Sequence, residues 1–386
     1  MTKAFNPVFS GLPTTIFETM SRLAREHNAV NLGQGFPDDP GAEDIRAKGA
    51  EALVSGWNQY PPMMGLPELR SAVASHYAHH QRLSFDPDSE VMITSGATEA
   101  LAGALFSLIT PGDEVVLFEP LYDAYLPLVL RAGGVPKFVK LRPPEWRFTA
   151  EDLAAAFSPR TKLVLFNNPL NPAATVCPVE DLSMLAHFCM AHDAIAVCDE
   201  VWEHVVFDGV DHVPLIALPG MRERTVKIGS AGKIFSLTGW KVGFVMAAPA
   251  LMRVLSKAHQ FLTFTTPPNL QAAVAYGLGK DDAFFAATRR DFEAARDYLA
   301  QGLTGLGFSV LPSQGTYFLN LDIAPLGETD DAEFCQRLVE DFGVAAIPVS
   351  AFYAENPVTT IVRLCFAKKR ATLDAALERL AKARPR

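Results

Sequence analysis

The sequence predicts an α/β protein of two domains. Three observations support this: a length of 386 residues, a middle region that alternates short apolar runs with amphipathic ones, and ends with a different pattern. A chain of this length exceeds one ordinary hydrophobic core, so two domains are expected. We expect a large domain over residues 46–280 and a smaller α+β domain assembled from residues 1–45 and 281–386.

The middle region predicts a mainly parallel sheet covered by helices. Its apolar runs are continuous, which is typical of strands buried on both faces, and they alternate with helical patterns. The predicted strands lie at residues 91–94, 115–118, 137–141, 163–166, 195–198, 226–228 and 244–247, with helices at about 98–108 and 123–131.

The two ends of the chain have another character. Residues 1–45 are punctuated by Pro and Gly and predict only partial helix. Beyond residue 281 the predicted elements are a long charged helix to about 306, strands near 318–321 and 361–366, and helices at about 331–341 and 370–383. Strands and helices grouped in this way indicate α+β structure.

Composition argues against several classes of partner and site. There are 34 Lys+Arg against 43 Asp+Glu, a net charge of -9, which argues against nucleic acid or an anionic membrane surface as the main partner. Five cysteines, without a CxxC pair, indicate neither a disulfide framework nor a zinc site and favour a reducing, cytoplasmic setting. No apolar run reaches the roughly 18 residues of a membrane helix, and the first residues lack the apolar core of a secretory signal.

Polar groups follow several predicted strands. They are Gly96-Ala97-Thr98, Tyr122, Asn171, Asp199 and the segment Ser230-Ala231-Gly232-Lys233. Ligands of open α/β sheets bind outside the carboxyl ends of the strands, so these groups mark a candidate site. Gly96-Ala97-Thr98 opens a helix and suits a phosphate, although an ordinary strand-to-helix turn has the same pattern. The absence of GxGxxG and GxxxxGK[ST] argues against a dehydrogenase or a P-loop protein.

Three charged residues predict chemistry, each with a plain structural alternative. Lys233, flanked by glycines, is either a solvated loop residue or a desolvated amine suited to Schiff-base formation, with Lys241 as a nearby cation. Asp199 is either a helix cap or the partner of a cation such as a pyridinium nitrogen, and its neighbours show no metal-ligand spacing. Arg363, in an apolar strand, forms either a structural salt bridge or a bidentate clamp for a substrate carboxylate.

Nine stretches together resemble a known family. The chain is similar to the class I/II aminotransferases of fold type I, and within them to the kynurenine aminotransferase, glutamine transaminase K and bacterial methionine aminotransferase branch. The stretches are NLGQGFPD (31–38), NQYPPMMGLPELR (58–70), EPLYDAY (119–125), NNPLNP (167–172), CDEVWEH (198–204), IGSAGKIFSLTGWKVG (228–243), PSQGTYFL (312–319), IPVSAFY (347–353) and IVRLCFAK (361–368).

The resemblance implies pyridoxal 5'-phosphate as the cofactor. Lys233 would hold it through a Schiff base, and Asp199 would keep its pyridine nitrogen protonated. Asn171 would donate a hydrogen bond to its O3', and Tyr122 would stack on its ring. The implied phosphate ligands are Ala97, Thr98, Ser230 and Lys241.

The resemblance also implies a substrate site and a partner chain. Arg363 would clamp the substrate α-carboxylate, helped by Asn171 and the backbone at Gly35. Such enzymes are typically homodimers with shared active sites. Tyr60 would reach the cofactor phosphate of the neighbouring subunit, and Phe264 would enter the neighbour's substrate pocket.

The implied activity is transfer of an amino group from an L-amino acid to a 2-oxo acid by a ping-pong mechanism. Methionine, glutamine, aromatic amino acids and kynurenine are the candidate donors. Two alternatives stay open: a cysteine-S-conjugate β-lyase on the same site, and, more distantly, a non-enzymatic regulator that senses an effector. One residue departs from the family pattern, since Trp202 stands where the family usually has Tyr. We expect Trp202 still to face the cofactor.

Overall fold

The computed structural model describes residues 3–382. Residues 383–386 lie outside this range, so the predicted helix at 370–383 is described only up to residue 382. The predicted α/β class is confirmed, and each predicted strand coincides with an observed one to within a few residues. The strands are β1 Val30–Asn31, β2 Val91–Thr94, β3 Glu114–Glu119, β4 Val135–Lys140, β5 Thr161–Asn167, β6 Ile195–Asp199, β7 Thr225–Ser230, β8 Gly243–Ala247, β9 Ser309–Val310, β10 Phe318–Asp322, β11 Val344–Ala345, β12 Ile347–Pro348 and β13 Ile361–Cys365.

Helices alternate with these strands, and local signals explain several of their starts. Proline stands in the first turn of helices that begin at residues 67, 249 and 268, where its missing N–H costs nothing. Thr149 and Asp281 cap two others through their side chains. The helices are α1 Pro7–Ser10, α2 Ile16–Glu26, α3 Glu43–Ser55, α4 Pro67–Gln81, α5 Gly96–Leu108, α6 Tyr125–Arg131, α7 Ala150–Ala156, α8 Val179–Ala191, α9 Ala231–Ile234, α10 Pro249–Leu262, α11 Pro268–Leu278, α12 Asp282–Gly305, α13 Asp331–Glu340 and α14 Arg370–Leu380.

The large sheet has seven strands in the order β2-β8-β7-β6-β5-β3-β4. Strands β7, β6, β5, β3 and β4 are parallel, so their carboxyl ends meet at one edge. Strand β8 is antiparallel to both β2 and β7. The segment 231–242 joins β7 to β8, and it folds back at the same edge instead of crossing over the sheet. This segment carries Lys233 to the carboxyl edge.

A second, four-stranded sheet has the order β12-β13-β10-β9, with antiparallel pairing throughout. Arg363 lies on β13, between Asn320 of β10 and Ile347 of β12. Strand β1 pairs with β11 in a separate parallel ladder, which joins the two ends of the chain. One cluster of buried side chains runs from the large sheet into the small one and contains both Val197 and Leu364. The domain limits at residues 46 and 280 stay a prediction.

Candidate active site

One cavity opens at the carboxyl edge of the large sheet and collects most of the predicted site residues. Its lining includes Ala97, Thr98, Tyr122, Asn171, Asp199, Trp202, Ser230, Lys233 and Lys241. An adjoining cleft shares Tyr122, Asn171, Trp202 and Lys233 with this cavity and adds Gly35 and Arg363. Residues separated by more than 300 positions in the sequence therefore surround one continuous space. Their individual roles remain predictions.

One end of the cavity is suited to an anion. Helix α5 begins there at Gly96, whose φ of 73° lies in the left-handed region that glycine adopts without strain. A side chain at this position would also crowd Lys241, since a Cβ would stand 3.1 Å from its Cε and the lysine side chain would have to shift. The Lys241 ammonium donates to Thr98 Oγ1 at 3.3 Å. Free N–H groups of the first helical turn, the helix dipole and this ammonium together favour a phosphate.

Asp199 lies at the end of β6 and is buried. The Tyr125 hydroxyl donates to its Oδ2 at 2.6 Å, while its Oδ1 accepts only a long bond of 3.4 Å from the Val201 N–H. Burial raises the pKa of Asp199, and the bond from Tyr125 opposes that rise. A buried carboxylate oxygen with one long hydrogen bond has capacity for a stronger donor, and a cationic N–H is the best match.

Lys233 faces the cavity and is half-buried, with its amine surrounded by protein on the other sides. Burial lowers the pKa of Lys233 to about 8, and the positive charges of Arg363 and Lys241 act in the same direction. Its Nζ stands 4.3 Å from the centroid of the Trp202 ring. The Tyr317 hydroxyl donates to the Lys233 carbonyl at 2.8 Å and so anchors the backbone. An amine with such a pKa is partly neutral, hence nucleophilic, near pH 8.

Arg363 is a buried cation at the far side of the cleft. Its Nη1 donates to Asn171 Oδ1 at 2.8 Å and its Nη2 to the Gly33 carbonyl at 3.0 Å, while its Nε has no partner within residues 3–382. The guanidinium lies 3.9 Å from the centroid of the Phe318 ring. Burial lowers the pKa of Arg363 to about 10. No carboxylate of the described chain forms a salt bridge with it, so a carboxylate ligand would supply the missing counter-charge.

Three residues that hold site residues through hydrogen bonds were not predicted from the sequence. Tyr125 holds Asp199, and Tyr317 holds the Lys233 backbone. Asn167 donates to the Asp199 carbonyl at 2.8 Å and accepts from the Asn171 N–H at 2.8 Å, so it ties two strand ends together. A signal existed for each of them, because all three lie within the motifs EPLYDAY, NNPLNP and PSQGTYFL.

Two predicted residues lie outside both the cavity and the cleft. Tyr60 is 81% exposed and Phe264 is 39% exposed. Their rings contact each other edge to face, with centroids 5.4 Å apart. The structure thus brings together the two residues for which the family pattern implies contact with a neighbouring subunit.

Known proteins resemble this chain over nearly its whole length. The family model "Aminotransferase class I and II" matches residues 27–380. Methionine aminotransferase of Escherichia coli (strain K12) is 42% identical over 369 residues, covering 96% of each protein. Kynurenine–oxoglutarate transaminase 1 of Homo sapiens is 36% identical over 396 residues, covering 94% of each. The solved N-succinyldiaminopimelate aminotransferase from Mycobacterium tuberculosis has a TM-score of 0.95 at 43% identity, covering 98% of this chain and 100% of that one.

The chain belongs to the aminotransferase class I and II family. It is an enzyme with the fold type I architecture, and its activity is that of an aminotransferase. Members of this family depend on pyridoxal phosphate, so the cofactor predicted from the sequence is confirmed. The predicted branch is confirmed as well, since methionine and kynurenine aminotransferases are among the similar proteins.

The residues of the cavity fit this cofactor. The helix N-terminus at Gly96 offers an anion site, Asp199 has an under-used buried oxygen, and Lys233 has an amine with a lowered pKa. These three features face one space and match a phosphate, a pyridine nitrogen and an aldehyde in turn.

Proposed function

We propose that this aminotransferase accepts neutral L-amino acids with apolar or aromatic side chains, of the methionine, aromatic or kynurenine type, and passes the amino group to a 2-oxo acid. The observation that carries the proposal is the wall of the cleft beside Arg363. Five of its eleven lining residues are aromatic and two, Lys233 and Arg363, are charged; the lining residues are Phe17, Gln34, Gly35, Phe36, Tyr122, Asn171, Trp202, Lys233, Thr238, Phe318 and Arg363. Apolar walls favour an uncharged substrate side chain.

The names of similar proteins suggest two kinds of donor. Methionine and kynurenine aminotransferases point to neutral side chains, whereas the name of the Mycobacterium tuberculosis relative points to N-succinyldiaminopimelate. That second donor carries an additional carboxylate far from its reacting amine. Among its lining residues the cleft offers no cation for it beyond Lys233 and Arg363, which would already be used by the cofactor and the α-carboxylate. We therefore favour the neutral donors.

Several residues would hold the cofactor. Lys233 would attach to its aldehyde, Asp199 would accept a hydrogen bond from its protonated pyridine nitrogen, and Tyr122 would cover its ring. Asn171 would donate to O3' through Nδ2, because its Oδ1 already accepts from Arg363. The phosphate would be bound by Ala97, Thr98, Ser230 and Lys241, which line the anion end of the cavity. When bound, the cofactor supplies an electron sink for bonds at the amino acid α-carbon.

Lys233 would also move the proton. With substrate bound, its Nζ would be a free amine inside a partly closed cavity. With a pKa lowered to about 8, it can both take a proton from the substrate α-carbon and return it at neutral pH. The Trp202 ring, whose centroid is 4.3 Å from Nζ, covers the amine on one side. A second 2-oxo acid would run the same steps in reverse, which gives ping-pong kinetics.

Arg363 would fix the substrate by its α-carboxylate. The free Nε and the adjacent face of the guanidinium match the two oxygens of a carboxylate. The guanidinium is held in place by its hydrogen bonds to Asn171 Oδ1 and the Gly33 carbonyl, and it packs over the Phe318 ring. The backbone at Gly35 lines the same cleft and would add a donor. A carboxylate held in this way places the α-carbon near Lys233.

We propose a homodimer with shared active sites. The chain segments that lead to Tyr60 and Phe264 expose further large apolar side chains, of which Val54 is 85%, Trp57 71% and Phe261 83% exposed. Exposed aromatic side chains grouped in this way are typical of a protein interface. In the dimer, Tyr60 would reach the partner's cofactor phosphate and Phe264 the partner's substrate pocket.

A mixing experiment tests the shared site. Subunits with Lys233→Met and subunits with Tyr60→Ala are each expected to be nearly inactive alone. Mixed dimers regain one intact site, because Lys233 of one chain meets Tyr60 of the other, and a measurable part of wild-type activity should return. If Tyr60 served its own chain, every site in the mixed dimer would be defective and no activity would return.

The compartment and the domain limits are part of the same proposal. All five cysteines are free thiols, and four of them are buried. Unpaired thiols in a chain of this size favour a reducing compartment, which we propose to be the cytoplasm. None of the helices within residues 3–382 combines the length and the apolar character needed to cross a membrane. We keep 46–280 as the large domain and 1–45 with 281–386 as the small one, since the long helix α12 begins at Asp282.

A donor and acceptor matrix tests the substrate proposal. Methionine, phenylalanine, tyrosine, kynurenine, glutamine, aspartate and N-succinyldiaminopimelate would be compared as donors, each against several 2-oxo acids. We expect the neutral apolar and aromatic donors to have the highest kcat/KM. A preference for aspartate or N-succinyldiaminopimelate would contradict the proposal, because a second carboxylate requires a cation that the cleft lining does not offer.

A further inference from the structure

A second cluster of polar side chains lies apart from the cavity, where the end of α4 meets the beginning of α12. Helix α4 carries the run His76-Tyr77-Ala78-His79-His80, and Asp282 is the first residue of α12. His79 and Asp282 are exposed, with side chains 63% and 72% accessible, and His80 is half-buried between them and the protein. The aminotransferase reaction uses none of these residues.

The ligand atoms of this cluster converge. His79, His80 and Asp282 each offer one atom, and these three atoms lie within 4.8 Å of one another. The distance from His79 Nε2 to Asp282 Oδ1 is 2.7 Å, and the two imidazole rings stand 4.7 Å apart, nearly perpendicular. Two imidazole nitrogens and a carboxylate oxygen at such separations are a common donor set for Zn²⁺ and its first-row neighbours.

The contact between His79 and Asp282 can be exchanged for bonds to a metal. A proton lies between His79 Nε2 and Asp282 Oδ1 in the 2.7 Å hydrogen bond, and a metal ion that binds both atoms would replace this proton.

A hydrogen-bonded imidazole pair, His76 and the half-buried His204, lies beneath the cluster. His76 Nε2 and His204 Nε2 are 2.7 Å apart and share a hydrogen bond. The His80 ring lies against His76 with centroids 4.4 Å apart, and it also contacts Phe285. This packing restricts the rotation of His80, and a restricted ligand loses less entropy when it binds a metal.

A second convergent group in the protein does not qualify. Glu200, Glu203 and His212 also bring their ligand atoms within 4.8 Å of one another. However, the Lys227 ammonium hydrogen-bonds to both carboxylates and already supplies the positive charge. Within residues 3–382, no lysine or arginine forms a salt bridge with Asp282 in the cluster at His79.

We propose that His79, His80 and Asp282 form a binding site for a divalent transition metal ion of the Zn²⁺ type, with water in the remaining positions. The ion would join α4, which packs against the large sheet, to the first turn of α12, which leads to the small sheet. Bound zinc would therefore stabilise the junction between the two sheets.

Zinc titration of the cofactor-loaded enzyme tests the proposal. After treatment with a chelator and its removal, Zn²⁺ alone would be titrated by calorimetry into wild type, His79→Ala, Asp282→Asn and the double variant. We expect one site per chain in wild type and at least about tenfold weaker binding in each single variant. His27→Ala removes an exposed histidine elsewhere and should leave the affinity unchanged.

Thermal unfolding gives a second measurement. Saturating Zn²⁺ should raise the Tm of wild type and of His27→Ala, because a ligand of the folded state stabilises it. It should not raise the Tm of the double variant. The substituted side chains are exposed, so the variants keep their core packing and remain testable. Absence of zinc binding in wild type, or equal affinity and equal stabilisation in the double variant, would overturn the site.

Discussion

Lys227 on β7 and Lys233 just after it lie only six residues apart, but the surrounding protein shifts the pKa values of their amines in opposite directions. Lys227 is fully buried and hydrogen-bonds to the carboxylates of Glu200 and Glu203, the latter at 2.6 Å. Burial disfavours its charge, but the two carboxylates outweigh this and raise its pKa. Lys233 has no carboxylate in salt-bridge contact within the described chain, and its pKa falls to about 8.

The difference separates a structural charge from a chemical one. The two carboxylates compensate the charge of Lys227. Glu203 is itself held in place, because it also accepts hydrogen bonds from Tyr77 and from Gln81, the latter at 2.6 Å. Around Lys233, Asp199 and Arg363 each retain hydrogen-bonding capacity that faces the cavity. A buried charge with its partners fixes the fold, whereas buried charges with unused capacity mark the place where a ligand completes them.

The substitution Lys233→Met should have the largest effect. It keeps the volume of the side chain but removes the amine, so turnover should fall by more than about a thousandfold. An amine whose pKa is lowered on folding costs stability below pH 8, so the cofactor-free variant should unfold at no lower denaturant concentration. Steady-state kinetics and urea unfolding measure the two effects. Near wild-type transamination would show that the Lys233 amine is not required for catalysis.

The matching substitution Lys227→Met should act on stability. It leaves two buried carboxylates without a cation, so the free energy of unfolding should fall by about 3–5 kcal/mol. The kcat of the folded fraction should change little, because Lys227 does not line the cavity. As a control, Lys137→Met removes a partly exposed lysine beside Glu114 and should cost below about 1 kcal/mol. Similar losses in both variants would show that the buried cluster has no special structural role.

The substitution Arg363→Ala tests the second buried charge that has unused hydrogen-bonding capacity. Loss of the carboxylate clamp should lower kcat/KM by a factor that corresponds to about 2–5 kcal/mol. Cofactor binding should persist, because Arg363 lines the cleft and not the phosphate end. Kinetics with a full set of donor concentrations would be compared with Arg370→Ala, which removes an exposed arginine. An unchanged kcat/KM would remove Arg363 from the substrate site.

The pH dependence of cofactor uptake measures the pKa of the Lys233 amine directly. Only a neutral amine attacks an aldehyde, and neutral amine accumulates as the pH rises through its pKa. The rate at which cofactor-free protein takes up pyridoxal phosphate should therefore rise with a midpoint near pH 8. Stopped-flow absorbance measures it. A rate that still climbs steeply near the ordinary lysine pKa of 10.5 would mean that the protein does not perturb this amine.

The smallest effect is expected for Trp202→Tyr. The indole lies 4.3 Å from the Lys233 ammonium, a cation–π contact worth about 0.5–2 kcal/mol. Tyr brings a hydroxyl and a smaller ring, so the pH midpoint of the bound cofactor's visible absorbance should shift by up to about one unit. Trp57→Tyr, at an exposed position, serves as a control. Superimposable titration curves for wild type and Trp202→Tyr would contradict a role for the indole.

The sequence predicted more of the sheet than of its supporting contacts. Continuous apolar runs placed the parallel strands, and Val91–Thr94 was placed to the residue, because burial on both faces leaves a strong pattern. The direction of β8 could not be read, since strand direction depends on the path of segment 231–242. Tertiary geometry decides such a path, and no local propensity encodes it.

The candidate site shows the same limit. Lys233, Asp199 and Arg363 stand out in sequence because a charge beside or within an apolar run is unusual. Lys227 has the same signal, yet its partners Glu200 and Glu203 are more than twenty residues away, so its pairing was invisible. Tyr125 ends the motif EPLYDAY, but its role could not be predicted, because its hydrogen bond to Asp199 requires the fold to bring the two residues together.

We propose that Lys233, and not its paired neighbour Lys227, carries the cofactor. Borohydride reduction of the purified enzyme fixes a Schiff base as a stable secondary amine, and peptide mass spectrometry then locates the added mass. We predict the pyridoxyl phosphate mass on Lys233 in wild type and its absence from every lysine in Lys233→Met. Label on Lys227, on Lys241 or on no lysine of the active wild-type enzyme would contradict the account.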